Sequence, residues 1–196
     1  EYEFDTPYEV NIKTDQAELN SKIGFIFDKP YTSAGIISQA RYHNQETLFG
    51  GSTYSGSQYS LYFKAAFQTT IIDTTKMIKI GLTYSSDRYD EALLLLRPAA
   101  PMIDNKHFAR TDKFIGAYSE LTVEHNPRLS SIFGYRADYS RAFGLLHTPR
   151  INVRYKPTDN TAVRVSAGRA HRQANPISEN MSYLFSSRNL VLEDYN

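Results

Sequence analysis

No cysteine occurs in this chain, so a disulfide framework, a thiolate nucleophile and a zinc site built on sulfur are all excluded. Tryptophan is absent as well. Net charge nearly vanishes: 22 Lys and Arg stand against 21 Asp and Glu, a balance of +1, which gives nucleic acid no bulk electrostatic reason to bind. Long apolar runs are missing too. The longest, Ala92-Leu93-Leu94-Leu95-Leu96, falls far short of the ~20 residues a membrane-crossing helix requires. Catalytic signatures are equally scarce. Gly50-Gly51-Ser52-Thr53-Tyr54 opens like a nucleophile elbow, but Tyr stands where the second flanking Gly belongs. No GxxxxGK loop occurs, and none of His43, His107, His125, His147 and His171 has the i, i+4 spacing of a zinc helix. These residues predict neither an enzyme nor a cofactor. Asp87, Asp90 and Glu91 could offer oxygen ligands to a divalent cation, but a solvated acidic loop in contact with surface sugars or ions is the stronger reading.

What the chain does have is a rhythm. In Gln58–Ile71, Tyr59, Leu61, Phe63, Ala65, Phe67, Thr69 and Ile71 alternate with Ser60, Tyr62, Lys64, Ala66, Gln68 and Thr70. A strand sends successive side chains to opposite faces, so this is a ribbon with one greasy and one mostly wet side. The same alternation predicts strands at Ala17–Phe27, Gly35–Gln45, Met77–Ser85, Lys113–Glu124, Leu129–Tyr139, Thr148–Lys156 and Thr161–Arg169, with a further short one at Asn189–Leu192. Strands of about 9–11 residues suit a tilted bilayer crossing. Lipid offers no partner to an open sheet edge, so such strands must close into a barrel. The negative mean hydropathy, −0.48, is no objection, because half of each strand faces away from lipid. Fifteen Tyr and eleven Phe supply the amphipathic rings that gather at membrane–water interfaces.

The connections are sorted by length. Asp28–Ser33, Asp73–Lys76, His125–Arg128 and Pro157–Asn160 read as short turns, whereas Glu46–Gly56, Ser86–Asp112 and Arg141–Leu146 read as longer loops. Bacterial membrane barrels alternate in this way, short toward the periplasm and long outside the cell. The reading is an all-β, antiparallel transmembrane β-barrel. A Tyr-rich soluble sandwich or ligand-binding barrel shares the composition, and a passive porin, a surface-adhesion barrel or an outer-membrane lipase shares the membrane.

The four later segments carry a more specific likeness. Gly116-Ala-Tyr-Ser-Glu-Leu-Thr-Val123, Arg128-Leu-Ser-Ser-Ile-Phe-Gly-Tyr-Arg-Ala-Asp-Tyr139, Thr148-Pro-Arg-Ile-Asn-Val-Arg-Tyr-Lys-Pro157 and Val163-Arg-Val-Ser-Ala-Gly-Arg-Ala-His-Arg172 resemble consecutive barrel strands of TonB-dependent outer-membrane receptors. Glu179-Asn180 and Ser186-Ser187-Arg188 resemble the Bacteroidetes type. The resemblance is well supported over about Phe114–Leu192 and rests on rhythm alone before that. It implies a plugged barrel of about 22 strands, of which about eight are present here. Residues 1–196 are then expected to form a partial barrel, with the plug domain and signal peptide outside the sequence. Glu1 in place of Met and the abrupt end at Leu192-Glu-Asp-Tyr-Asn196 agree with that expectation. The implied function is import of a scarce, bulky nutrient, such as a ferric siderophore or a cobalamin-like compound. The implied partners are the lipid bilayer, the protein's own plug and a periplasmic TonB energy-coupling protein.

A charge on the lipid face costs about 2–4 kcal/mol at the midplane, so Arg136, Asp138, Arg150, Arg154, Arg164 and Arg169 are expected to face the lumen. Two roles fit them. One is a basic lining that contacts an anionic ligand or the plug through forked bonds; the other is a structural ladder between neighbouring strands.

Overall fold

The computed structural model describes residues 9–50, 52–96, 103–172, 175 and 179. Eight strands follow in chain order: β1 (Val10–Ile26), β2 (Ser33–Phe49), β3 (Ser52–Thr70), β4 (Lys76–Leu96), β5 (Ile103–Asn126), β6 (Leu129–Ser140), β7 (Gly144–Thr158) and β8 (Thr161–Gly168). Each pairs antiparallel with its successor, in one sheet of order β1 to β8. The short turns are as the sequence predicts. At the turn after β3, the Asp73 carboxylate accepts from the Thr75 hydroxyl at 2.5 Å and from its backbone N–H at 3.0 Å. The hydroxyl bond is the main reason this acid is held below the usual carboxylate range.

The predicted long loops are corrected. Ser86–Asp112 is not a loop: β4 runs on to Leu96 and β5 begins at Ile103, paired from Leu96↔Ile103 inward. Glu46–Gly56 is likewise mostly strand, paired to Phe49↔Ser52. Arg141–Leu146 shrinks to a turn before β7. The length asymmetry survives in another form, as strand overshoot at one end of the wall. β5 and β6 pair no further out than Ile115↔Tyr139, so residues 103–114 of β5 run beyond β6 by about 40 Å. The strand predicted at Asn189–Leu192 lies outside the described residues.

The cross-strand register sorts the side chains into two faces. One carries Ile23, Ile36, Ala65, Leu82, Ala117, Ala137 and His147 in a row of directly opposed partners. Its rows toward the short turns hold Phe67, Ile80, Leu121, Phe133, Ile151 and Val165. Ile23 (65%), Leu82 (64%) and Val165 (63%) are largely exposed there. Toward the overshoot, this face ends in Tyr42, Tyr59, Tyr84 and Tyr139, beyond which Asn44, Ser57, Arg88 and Lys113 follow. Along β3 the band from Tyr59 to Ile71 rises about 31 Å at about 3.4 Å per residue and a tilt near 40°, close to a bilayer's hydrocarbon thickness of about 30 Å. The other face carries Glu18, Arg41, Lys64, Asp87, Tyr118, Arg136 and Arg150.

Single cysteines at Phe63, Phe67, Ile80, Leu82, Phe133, Tyr135 or Val153 of the membrane-assembled protein are expected to react with a lipid-restricted thiol reagent. Those at Lys64, Lys79, Arg136 or Arg154 should not. The opposite pattern would mean a slip of one residue, which exchanges the faces.

Candidate functional site

The wet face is concave along β3 to β7 and encloses a cleft of about 1040 Å³, lined by Lys64, Asp87, Arg110, Asp112, Tyr118, Arg136, Asp138, Arg150 and Arg169 among others. Charge on this wall is mixed and locally matched. Arg136 grips Asp138, two residues along the same strand and hence on the same face. Its Nε donates to Oδ2 at 2.6 Å and its Nη2 to Oδ1 at 2.7 Å, and Nη2 also reaches Thr83 Oγ1 at 3.0 Å. Arg150 donates to the Glu120 carboxylate two strands away. Gly134 lies between them in register, and a Cβ there would meet Arg150 Cγ at 2.6 Å. The missing side chain is the groove along which the guanidinium reaches its acid. Gly81 serves Tyr118 similarly, since its Cβ would sit 2.5 Å from both the ring and the Ala65 carbonyl. Tyr118 in turn receives the Lys64 ammonium, 4.9 Å from its ring centroid.

The six residues expected from sequence separate into three groups. Arg136, Asp138 and Arg150 are brought together on the cleft wall and are paired. Arg169 lies just past the end of β8, not within it, yet lines the same cleft. Arg154 and Arg164 stand outside the cleft, directly opposite one another across β7 and β8. Directly opposed like charges are unfavourable, and neither has an ion-pair partner among the described residues.

Sequence reasoning missed the outer half of the site. Asp87, Asp90 and Glu91 do not converge on a cation: Asp87 and Glu91 face inward while Asp90 points outward, where it binds His107 at 2.7 Å. No cluster of three such ligands occurs among the described residues. Arg110 lies over the Tyr89 ring, 4.3 Å from its centroid, and 3.2 Å from the Asp112 carboxylate. Even so, Arg110 Nε and Nη2, Asp112 Oδ2 and the Tyr118 hydroxyl are buried without a hydrogen-bond partner. Further out, the Tyr54 hydroxyl donates to Glu91 at 2.8 Å, beside the buried Phe49 and Leu93. Asn175 Nδ2 donates to the same carboxylate at 3.3 Å, so the chain after β8 returns across the inner face to β4. Arg172 and the Asn175 backbone N–H hold Glu179, the latter at 3.0 Å, and its carboxyl is held below the ordinary range chiefly by that backbone bond.

A family model described as "TonB dependent receptor-like, beta-barrel" matches residues 1–191. Among solved structures, the chain is similar to one titled "Structure of the RagAB peptide importer in the 'closed-closed' state", with a TM-score of 0.51 and 10% identity. That match covers 76% of this chain and 20% of the other, so the sequence spans about a fifth of its neighbour's length. No curated protein matches the chain.

Proposed function

The chain belongs to the TonB-dependent receptor-like β-barrel family of the outer membrane, and on that premise we propose that the full-length protein imports a bulky nutrient in an energy-driven cycle. The observation that carries this reading is the contrast between the two faces of one wall. The outer face is a dry band of bilayer height; the inner face is a network of paired charges. A passive porin would need the same dry exterior. What favours a filled lumen is the Tyr118 hydroxyl and Arg110 Nη2, both buried without a hydrogen-bond partner, because such groups cost about 1–3 kcal/mol each until something bonds them.

In this mechanism a plug domain, supplied by the rest of the protein, rests against the wall. Arg154 and Arg164 are its natural acid-binding points, since they have no acid of their own. Cargo enters from the overshoot end, which faces outside the cell, and meets Arg110, Arg136 and Arg150 in the cleft. A periplasmic TonB-type partner supplies the work that moves the plug. As cargo, a peptide suits this wall better than the ferric siderophore or cobalamin-like compound implied by resemblance. The cleft alternates acids and bases, Asp87 and Asp112 by Arg110 and Glu120 by Arg150, and a peptide carries both signs. The neighbour's title names peptides as well.

Cells expressing or lacking the full-length protein should be compared for uptake of labelled oligopeptides, a ferric siderophore and cobalamin, each with and without a protonophore. Peptide uptake is expected to require both the protein and the proton gradient. Uptake that survives the protonophore would replace the importer with a passive pore. Dependence of only the siderophore or cobalamin on the protein would overturn the peptide assignment.

A further inference from the structure

One cluster of charge on the outer face lies apart from the cleft. Where the apolar band ends, Tyr84 of β4, Ile115 of β5 and Tyr139 of β6 stand side by side in register. The next outward-facing row pairs Ser86 with Lys113, and the one after it pairs Arg88 with Thr111. Lys113 and Arg88 are therefore diagonal neighbours, with Cα atoms about 7–8 Å apart, within joint reach of two long side chains. Both are exposed, and neither has an ion-pair or hydrogen-bond partner among the described residues. Arg141 is exposed two residues beyond Tyr139. Its turn follows directly on the Tyr139 row, next out along β6 from the pair Ile115↔Tyr139. The acid nearest along β4 on this face, Asp90, is occupied by His107 at 2.7 Å.

We propose that Arg88 and Lys113, with Arg141 beside them, form a binding site for the phosphate of a membrane lipid in the leaflet at the overshoot end. Tyrosines mark the interface level; Arg88 directly opposes Tyr59 at that level, and Lys113 stands one row beyond Ile115 and Tyr139, where a headgroup phosphate is within reach of both long side chains. Arg88 supplies the planar fork that matches phosphate oxygens, and Lys113 a point charge. Their aliphatic stems lie along the top of the apolar band while their heads stay at the polar level. The acyl chains of the same lipid would cover Leu82, Ile115 and Tyr139 below. Charge complementarity selects an anionic lipid here, because the patch holds three cations and no uncommitted acid. The site depends on the membrane level fixed by the tyrosine rows, not on the cargo or on the compartment the overshoot faces.

The test uses the full-length protein in phosphatidylcholine membranes carrying trace spin-labelled phosphatidic acid or spin-labelled phosphatidylcholine, with the motionally restricted fraction giving relative affinity. The native protein should select phosphatidic acid. Arg88→Gln with Lys113→Gln should weaken that selectivity by about thirtyfold, from about 1 kcal/mol per basic residue near the surface. Lys22→Gln, on the lumen face, should preserve it. Unchanged selectivity in the double variant would overturn the proposal, and so would absence of selectivity in the native protein. Abolition by millimolar inorganic phosphate would do the same, since the site would then take free phosphate and not lipid. Transport is not read in this experiment, so its failure and failure of the importer reading are distinguishable.

Discussion

Replacing Leu82 by arginine should block assembly of the full-length protein in the membrane. Leu82 is 64% exposed on the outer face, opposed by Ala65 on one side and Ala117 on the other. Ala65 is the middle of the outward residues between Tyr59 and Ile71, so the new charge would enter near the bilayer centre. Its cost there is about 2–4 kcal/mol, enough to lower the equilibrium constant for insertion and folding by roughly two orders of magnitude. Small neighbours do not help, because alanines offer the guanidinium no acceptor. Lys64→Arg, one residue from Ala65 but facing inward, keeps its charge over the Tyr118 ring and should be close to neutral. The measurement is the fraction of heat-modifiable, folded protein in isolated membranes, followed by urea titration in lipid vesicles. Normal assembly of Leu82→Arg would show that this face is not against lipid.

The second large effect concerns these 196 residues expressed alone, which should aggregate and require detergent for a β signal. β1 and β8 are exposed throughout, and each leaves a row of backbone donors and acceptors open to another chain. Leu19, Ile23, Phe25, Ile36, Leu61, Phe63, Leu82, Ile115, Phe133 and Val165 are all exposed. An apolar band of that size far exceeds the few hundred Å² that soluble monomers tolerate. Size-exclusion chromatography and a thermal melt in plain buffer decide the matter. A monodisperse, cooperatively melting species would overturn the membrane reading of the outer face.

The central strands were legible because lipid on one side and polar lumen on the other impose opposite demands on alternate residues. In β3, nothing but a strand places Leu61, Phe63 and Phe67 together and Ser60, Lys64 and Gln68 apart. Beyond the tyrosine rows both faces are wet or packed locally, and the signal disappears. Asp87-Arg88-Tyr89-Asp90-Glu91 shows no alternation, and Gly50, Gly51 and Gly56 suggested a loop, so the overshoot of β2 to β5 was unreadable. The site follows the same division. Arg136 and Asp138 are visible as a pair from their spacing of two on one strand. Arg150 and Glu120 are not, because their meeting depends on the register of three strands and on Gly134 between them. Arg110 and Asp112 were hidden by the missed strand extensions, which also left Glu91 read as part of an acidic loop.

The strand order has a consequence for how this wall is made. Every pairing joins a strand to the one just synthesised before it, so each closure spans a single short connection. Closure entropy grows only as the logarithm of loop length, and local pairings are those that form fastest. The wall can therefore grow one strand at a time, each new ribbon templated on the last, and it exposes the same two free margins at every stage. Only the final seam, where the first strand of a closed cylinder meets the last, demands a contact between distant parts of the chain. Neither β1 nor β8 supplies that seam to the other. No such distant contact is therefore needed within these eight strands, and this stretch can be ordered before any cylinder is sealed.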